Sequence, residues 1–342
     1  MNLLCLDVGS TYTKGAVVDP DSGRLLATSA TPTTTQSDVW EGLTGLRDEL
    51  AVRADHVPGL DDDRHVLVCS SAGGGLKLAV VGFEREVTAR AGRMVALSAG
   101  ASVVFVSSGA LTPVELDRLR GAEADLVLLV GGTDGGNATT MLHNATQLAR
   151  ARVSTPVVVA GNREAGQEVQ QIMARGGVAS SVAENVLPRI GHLSPDSARS
   201  AIRAAFLAHV IGGKRLSRHP RFVAAVRRAT PDAVLNAVRV LRAVSPQDVM
   251  VIDVGGATTD VYSAVEPHGG DAAPEPDAVG SLRVARTVEG DLGLRLSAAG
   301  VIGAAAREGL ALGDDTQAWA LTVASAPTRV ADTAAERKAD LD

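Results

Sequence analysis

The chain has 342 residues, 45% of them hydrophobic, 21% charged and 2% aromatic, with a net charge of −6. This balance excludes a disordered or collagen-like chain. It also argues against a general nucleic-acid binder, which is normally basic and carries rings for stacking. At roughly 100–200 residues per domain, the length suits two or three domains.

Two cysteines, Cys5 and Cys69, sit in apolar strand-like runs. They read as reduced packing residues of a cytoplasmic protein, and two thiols are too few for a four-thiolate metal site. The opening MNLLCLDVGS has no basic region and meets Asp7 too early for an export signal. Residues 94–111 are apolar but broken by Ser and Gly, so they read as a helix end, a turn and a buried strand rather than a membrane span.

Apolar runs at 3–8, 14–19 and 24–29, with turn residues between them, predict an opening β-meander. Residues 38–53 carry Val39, Leu43, Leu46 and Leu50 on one helical face. A buried strand follows at 65–69 and runs into Ser70-Ser71-Ala72-Gly73-Gly74-Gly75. The middle of the chain changes character. Strand-like runs at 102–106, 125–130 and 155–160 alternate with helical patterns, which predicts a parallel sheet covered on both faces. Residues 195–211 read as an Ala-rich helix and 219–244 as one or two more. Strands are expected at 247–254, 260–265 and 281–286, with a polar loop at 266–278. Helices are expected at 289–308 and 329–342.

The informative feature is an internal repeat. Leu6-Asp7-Val8-Gly9-Ser10-Thr11-Tyr12-Thr13-Lys14 recurs in form as Ile252-Asp253-Val254-Gly255-Gly256-Ala257-Thr258-Thr259-Asp260. Each is a strand, an Asp, a Gly turn with small hydroxyl residues, and a second strand. Glycine lets backbone approach a ligand closely, and turn N–H groups bind oxyanions. A carboxylate at the strand end suits Mg²⁺, usually held partly through water. Two such hairpins face to face would clamp a nucleotide's phosphates. Neither a P-loop nor a clean dinucleotide fingerprint occurs.

This pairing resembles the superfamily of acetate and sugar kinases, heat-shock chaperones and actin. That resemblance implies actin-like (ribonuclease H-like) α/β domains on mixed sheets, with ATP or ADP and Mg²⁺ in the cleft between them. It implies Mg²⁺ at Asp7 and Asp253. Phosphates would sit on the N–H groups of Gly9, Ser10, Thr11, Gly255, Gly256 and Ala257. Thr13, Thr258 and Thr259 would lend hydroxyls, and Asp253 or Asp260 would orient water. The predicted organisation is a first subdomain at 1–90, an inserted α/β segment at 91–245 and a second subdomain at 246–342. The superfamily closes its second domain with another Gly-rich motif, for the adenosine. None is seen after residue 291, so the second subdomain is expected to be incomplete, with self-association covering its apolar surface.

Further motifs narrow the match. They are residues 70–77, Val130-Gly131-Gly132-Thr133-Asp134-Gly135-Gly136-Asn137, Ala160-Gly161-Asn162-Arg163-Glu164 and residues 287–293. Together they resemble the MutL/GlmL family, accessory proteins of adenosylcobalamin-dependent glutamate mutase. The mismatch-repair protein of the same short name is unrelated. The family implies a chaperone-like ATPase that reactivates the mutase, with mutase subunits as partners. A small-molecule kinase and a nucleotide-independent scaffold are the competing readings.

Three weaker features complete the reading. The loops 131–137 and 161–164 each follow a parallel strand and are expected to share a crevice. Lys77 reads as an exposed lysine or a phosphate contact. The basic stretch 214–221 reads as a solvated segment or an acidic partner's contact. No His spacing suits zinc or copper.

Overall fold

The computed structural model describes residues 1–72, 76–211, 216–266, 278–279, 282–290 and 292–341. Gly73, Gly74, Gly75, Lys214, Arg215, Ser281, Asp291 and most of the expected loop at 266–278 lie outside the described residues.

The meander forms as the alternation dictates. β1 (Leu3–Val8), β2 (Tyr12–Val18) and β3 (Leu25–Pro32) are antiparallel neighbours. α1 (Val39–Arg53) then crosses back, and β4 (Val66–Ser70) joins the free side of β1 in parallel. Leu4, Leu6 and Val8 fall on one face at every second residue. Leu43, Leu46 and Leu50 of α1 share their buried cluster. Gly15 lets the helix lie close, because a Cβ there would be 2.7 Å from Leu50 Cδ1.

A second, all-parallel sheet follows. Its strands are β5 (Leu76–Gly82), β6 (Ala101–Ser108), β7 (Leu126–Leu129), β8 (Val157–Val159) and β9 (Ser180–Val182). Their spatial order is β6-β5-β7-β8-β9. The connecting helices are α2 (Arg90–Ser98), α3 (Pro113–Gly121), α4 (Thr139–Arg150) and α5 (Gly166–Arg175). Residues of α3, α4 and α5 bury one face of the sheet, while α2 and the following α6 (Asp196–Ala205) bury the other. The strands are therefore apolar on both sides, as the sequence predicts.

After α7 (Pro220–Ala225) the chain returns to the first sheet as β10 (Val226–Ala229), parallel to β4. The first sheet is thus mixed, in the order β10-β4-β1-β2-β3. Here the structure departs from the sequence reading in two ways. β5 joins the parallel sheet, although it falls within residues 1–90, read as the first subdomain. Residues 226–229 are a strand inside the stretch read as helix, held extended by pairing with β4.

α8 (Thr230–Val244) leads to a three-stranded antiparallel sheet of β11 (Val249–Val254), β12 (Thr259–Ala264) and β13 (Val284–Glu289). Leu235 and Val238 of α8 pack on Tyr262 and Ala264. On the other face, Met250, Ile252 and Val254 are exposed, at 68%, 56% and 50%. Their counterparts in the repeat, Leu4, Leu6 and Val8, are at most 2% exposed. α9 (Ala298–Arg307), α10 (Asp314–Ser325) and α11 (Ala334–Leu341) form a small cluster around Trp319 and Val323. No helix among the described residues is long and apolar enough to cross a membrane.

One cap ties the returning chain to the first sheet. Asp38 Oδ1 accepts the Trp40 N–H at 2.9 Å, and its Oδ2 accepts the Arg218 N–H at 2.9 Å. His219 stacks on Trp40 at 4.3 Å. The described part of the basic stretch is thereby anchored to the start of α1. Asp38→Ala leaves two backbone donors without partners. Urea denaturation should show a loss of about 1–2 kcal/mol, with Asp38→Asn recovering only part of it, since its one carbonyl oxygen can accept one of the two N–H groups.

Candidate functional site

The two repeated hairpins have the same local construction. Gly9 N–H donates to the Tyr12 carbonyl at 3.1 Å, and Gly255 N–H to the Thr258 carbonyl at 2.9 Å. A Cβ on Gly9 would lie 2.6 Å from the Tyr12 carbonyl oxygen, so the turn admits only glycine there without moving. The fold brings the turns against one another. A Cβ on Gly256 would lie 2.5 Å from Thr11 Oγ1, although the two residues are far apart in sequence.

Between them lies a cleft of about 340 Å³. Asp7, Gly9, Ser10, Thr11, Asp253, Gly255, Gly256, Ala257, Thr258 and Asp260 all line it. Thr13 and Thr259 do not, contrary to expectation. Side chains alternate along a strand, so Tyr12 and Lys14 face the cleft and Thr13 faces away. Thr13 is buried and bonds Thr33 Oγ1 at 3.0 Å, while Thr33 donates to the Gly9 carbonyl. Thr259 donates to the Leu292 carbonyl at 2.8 Å. Both threonines brace a turn from behind.

The carboxylates differ in their surroundings. Asp7 accepts a 2.6 Å hydrogen bond from Thr230 Oγ1, the first residue of α8, and faces Cys69 Sγ at 3.5 Å. Its cross-strand neighbour is Lys14, whose Nζ is 4.0 Å away. In the second hairpin the equivalent cross-strand pair is Asp253 and Asp260, two like charges. Arg286 on β13 neutralises Asp260, with Nη2 at 2.6 Å and Nε at 2.9 Å from Oδ1. Burial pushes the Asp260 carboxyl above its ordinary range, against the pull of Arg286 and with the Asp253 charge adding to it. Arg286 also donates from Nη1 to the Ala101 carbonyl of β6, at 3.2 Å. Asp260 is therefore committed to an ion pair, whereas Asp253 has no such partner among the described residues.

Four residues of the cleft carry no local sequence signal: Thr230, Arg286, Gly100 and Arg295. Gly100 has φ +86°, and a Cβ there would be 2.9 Å from the Asp232 nitrogen. Arg295 N–H and Leu294 N–H donate to the carbonyls of Gly256 and Gly255. Arg295 also forms a two-point bond with Asp340. Burial opposes ionisation of Asp340, yet the hydrogen bonds from Arg295 and Trp319 outweigh it and hold the carboxyl below its ordinary range.

A larger cavity, about 800 Å³, opens on the outer face of the first sheet, lined by Cys5, Ala16, Leu67 and Cys69 among others. It shares Asp7, Lys14 and Ala30 with the cleft but lacks the turn N–H groups that would orient a ligand. No group of three or more His, Cys, Asp or Glu side chains able to share a metal ion occurs among the described residues.

The weaker candidates resolve differently. The loops 131–137 and 161–164 lie side by side, as expected. Asn162 donates to the Gly136 carbonyl, Gly135 N–H to Glu164, and Arg163 N–H to Asp134. Asn185 donates to both the Gly132 carbonyl and Asp134. These bonds fill the crevice, so the motif builds a tight junction. Lys77 is not part of the cleft lining, whereas Ser71 is.

With this geometry in place, the chain belongs to the MutL protein family, whose model matches residues 3–342. It is 39% identical over 301 residues to Protein MutL of Clostridium tetanomorphum, covering 86% of this chain and 64% of that protein. The chain thus spans under two-thirds of the length of that relative. Among solved structures, nucleotide-free acetone carboxylase aligns with a TM-score of 0.39 and 16% identity, over 85% of this chain and 48% of that one. The ATP-dependent caprolactamase of Pseudomonas jessenii aligns with a TM-score of 0.36 and 14% identity, over 84% and 47%. Alignments this loose carry no weight for this chain's activity.

Gly256 is the residue on which the meeting of the hairpins turns. Its φ lies outside the left-handed region, so Gly256→Ala tests only the contact with Thr11. The overpacked variant should lose about 1–3 kcal/mol in a denaturant melt. Thr11→Ala in the same chain should restore most of that loss.

Proposed function

We propose that this cleft is a MgATP site, and that the chain is a slow, chaperone-like ATPase that maintains or reactivates adenosylcobalamin-dependent glutamate mutase. One observation carries the reading. Two copies of the same Asp–Gly hairpin, more than 200 residues apart in sequence, meet turn to turn across one cleft. In this reading the first mixed sheet and the three-stranded sheet are the cores of two actin-like subdomains. The parallel sheet is an insertion in the first.

The donor set fits the group it would hold. The cleft offers carboxylates and hydroxyls, which are hard oxygen donors, and Mg²⁺ commonly takes only one or two carboxylates beside substrate phosphates. Asp7 and Asp253 are the residues that would hold it. When bound, the ion neutralises charge on the transferring phosphoryl group. The turn N–H groups of Ser10 and Thr11 bind one phosphate and those of Gly256 and Ala257 another, while the Gly9 and Gly255 N–H groups, expected to join them, are spent closing their own turns. The Thr258 hydroxyl adds a donor. Asp253 orients the attacking water, since Asp260 is held by Arg286. Thr230 fixes the Asp7 carboxylate from behind, so that it is positioned before the ligand arrives. Turnover is slow because closing two subdomains on the ligand gates the chemistry.

The mutase association rests on the family and on the motifs shared with it. The location consistent with it is the cytoplasm. Nothing in this reading calls for nucleic acid or a membrane.

Calorimetric titration with MgATP and MgADP should show binding that falls by about a hundredfold or more in Asp7→Ala, the scale of losing a buried charge contact. Asp253→Ala should abolish phosphate release while leaving the circular dichroism spectrum unchanged. Phosphate release at the wild-type rate by Asp253→Ala would overturn the role given to that carboxylate. Undiminished affinity in Asp7→Ala would place the nucleotide elsewhere.

A further inference from the structure

The parallel sheet carries a second feature at the end remote from the hairpins. β6 starts at the cleft, where Ala101 meets Arg286 and Ser102 lines the wall. It ends at a groove of about 750 Å³ lined by Arg85, Arg90, Arg93, Arg118, Val106 and Ser108. The arginines come from three separate elements. Arg85 lies in the π-turn after β5, Arg90 and Arg93 are one turn apart on α2, and Arg118 is on α3. All four are exposed. Their convergence runs against the charge of the whole chain, which is −6.

The two acids that line the groove, Glu86 and Glu115, do not cancel Arg85, Arg93 and Arg118. Glu86 pairs with Arg85 at 3.7 Å, both highly exposed, which is a weak contact. Glu115 is bound inward. It accepts the Thr112 N–H at 2.9 Å and the Ser107 hydroxyl at 2.9 Å, closing the cap of α3. Burial works against its ionisation, but those hydrogen bonds and the charge of Arg118 hold its carboxyl below the ordinary range.

We infer that this groove is a docking site for an extended acidic segment of a partner protein, laid along the edge of β6. Three observations select that occupant. Exposed guanidinium groups on several elements suit carboxylates spread along a chain. β6 is the terminal strand of its sheet, so its edge can add a further strand, with Val106 as an apolar contact at its side. A small oxyanion would instead need a convergent, buried donor to orient it. The one buried hydroxyl of this groove, Ser107, is already bonded to Glu115. This inference does not depend on the hairpin cleft's being a nucleotide site.

The test uses the chain as it stands and a fluorescein-labelled peptide of alternating glutamate and valine, read by anisotropy. The peptide should bind, with affinity falling as salt rises. The double substitution Arg93→Glu and Arg118→Glu should weaken it by roughly tenfold or more, with an unchanged melting temperature. A backbone N-methylated version of the peptide should lose binding as well, and bound peptide should protect the amides of residues 104–108 from hydrogen exchange. The proposal is overturned if the acidic peptide does not bind, if a lysine–valine peptide binds equally, or if the charge reversals leave its affinity unchanged. It is also overturned if inorganic pyrophosphate, and not the peptide, binds in a way the charge reversals abolish.

Discussion

Arg286 is a guanidinium with almost no access to water, and much of the cleft's architecture follows from satisfying it. A buried charge of this kind must be paired and hydrogen-bonded or it destabilises the fold. Asp260 supplies the pairing, and the Ala101 carbonyl takes a further donor. That second bond joins the three-stranded sheet to the first residue of β6, and so to the parallel sheet. The circuit closes on the other side. Gly100 packs on the start of α8, and α8 opens with Thr230, which holds Asp7. Asp232, one step further along α8, is gripped at two points by Arg203. Two of the three cleft carboxylates, Asp7 and Asp260, are thus linked through α8, the α2–β6 turn and Arg286.

This circuit gives the parallel sheet a mechanical relation to the hairpins. Its amino-terminal strand ends form part of the cleft wall, and its carboxyl-terminal ends lie at the far side of the insertion. β6 is the edge strand, buried at its start and exposed at Val104 and Val106 further along. Asp260 reaches the base of β6 through a single side chain, Arg286. At the other strand ends Asn162, Asn185 and Asp134 tie the connecting loops to one another.

How much of this was legible in the sequence depends on the distance over which each cause acts. The hairpins were readable because Asp, Gly and small hydroxyl residues specify a turn locally. α1 was readable because Val39, Leu43, Leu46 and Leu50 hold a helical period, and Asp38 caps it. β10 was not, because its Val-Arg-Arg-Ala sequence has no strand signal and is extended only through pairing with β4. β5 was missed because its apolar run directly follows a glycine-rich stretch and was absorbed into the motif there. The resemblance puts the Thr13 and Thr259 hydroxyls in the cleft by their place in the motif. The two-residue alternation places them behind it. Arg286 was invisible because its partners come from β12 and from β6, 185 residues away. Its role exists only in three dimensions.

The thiol behind Asp7 has a consequence for the electrical constancy of the cleft. Burial, reinforced by the neighbouring carboxylate, pushes Cys69 up to about 12, and burial raises Cys5 as well. A thiolate at Cys69 would put a second negative charge 3.5 Å from Asp7. Held as a neutral thiol, it leaves the charge facing the first hairpin fixed across the whole neutral pH range. Peroxide and electrophiles attack thiolates rather than thiols, so the same burial that keeps the charge constant also slows oxidation of the thiol that backs Asp7.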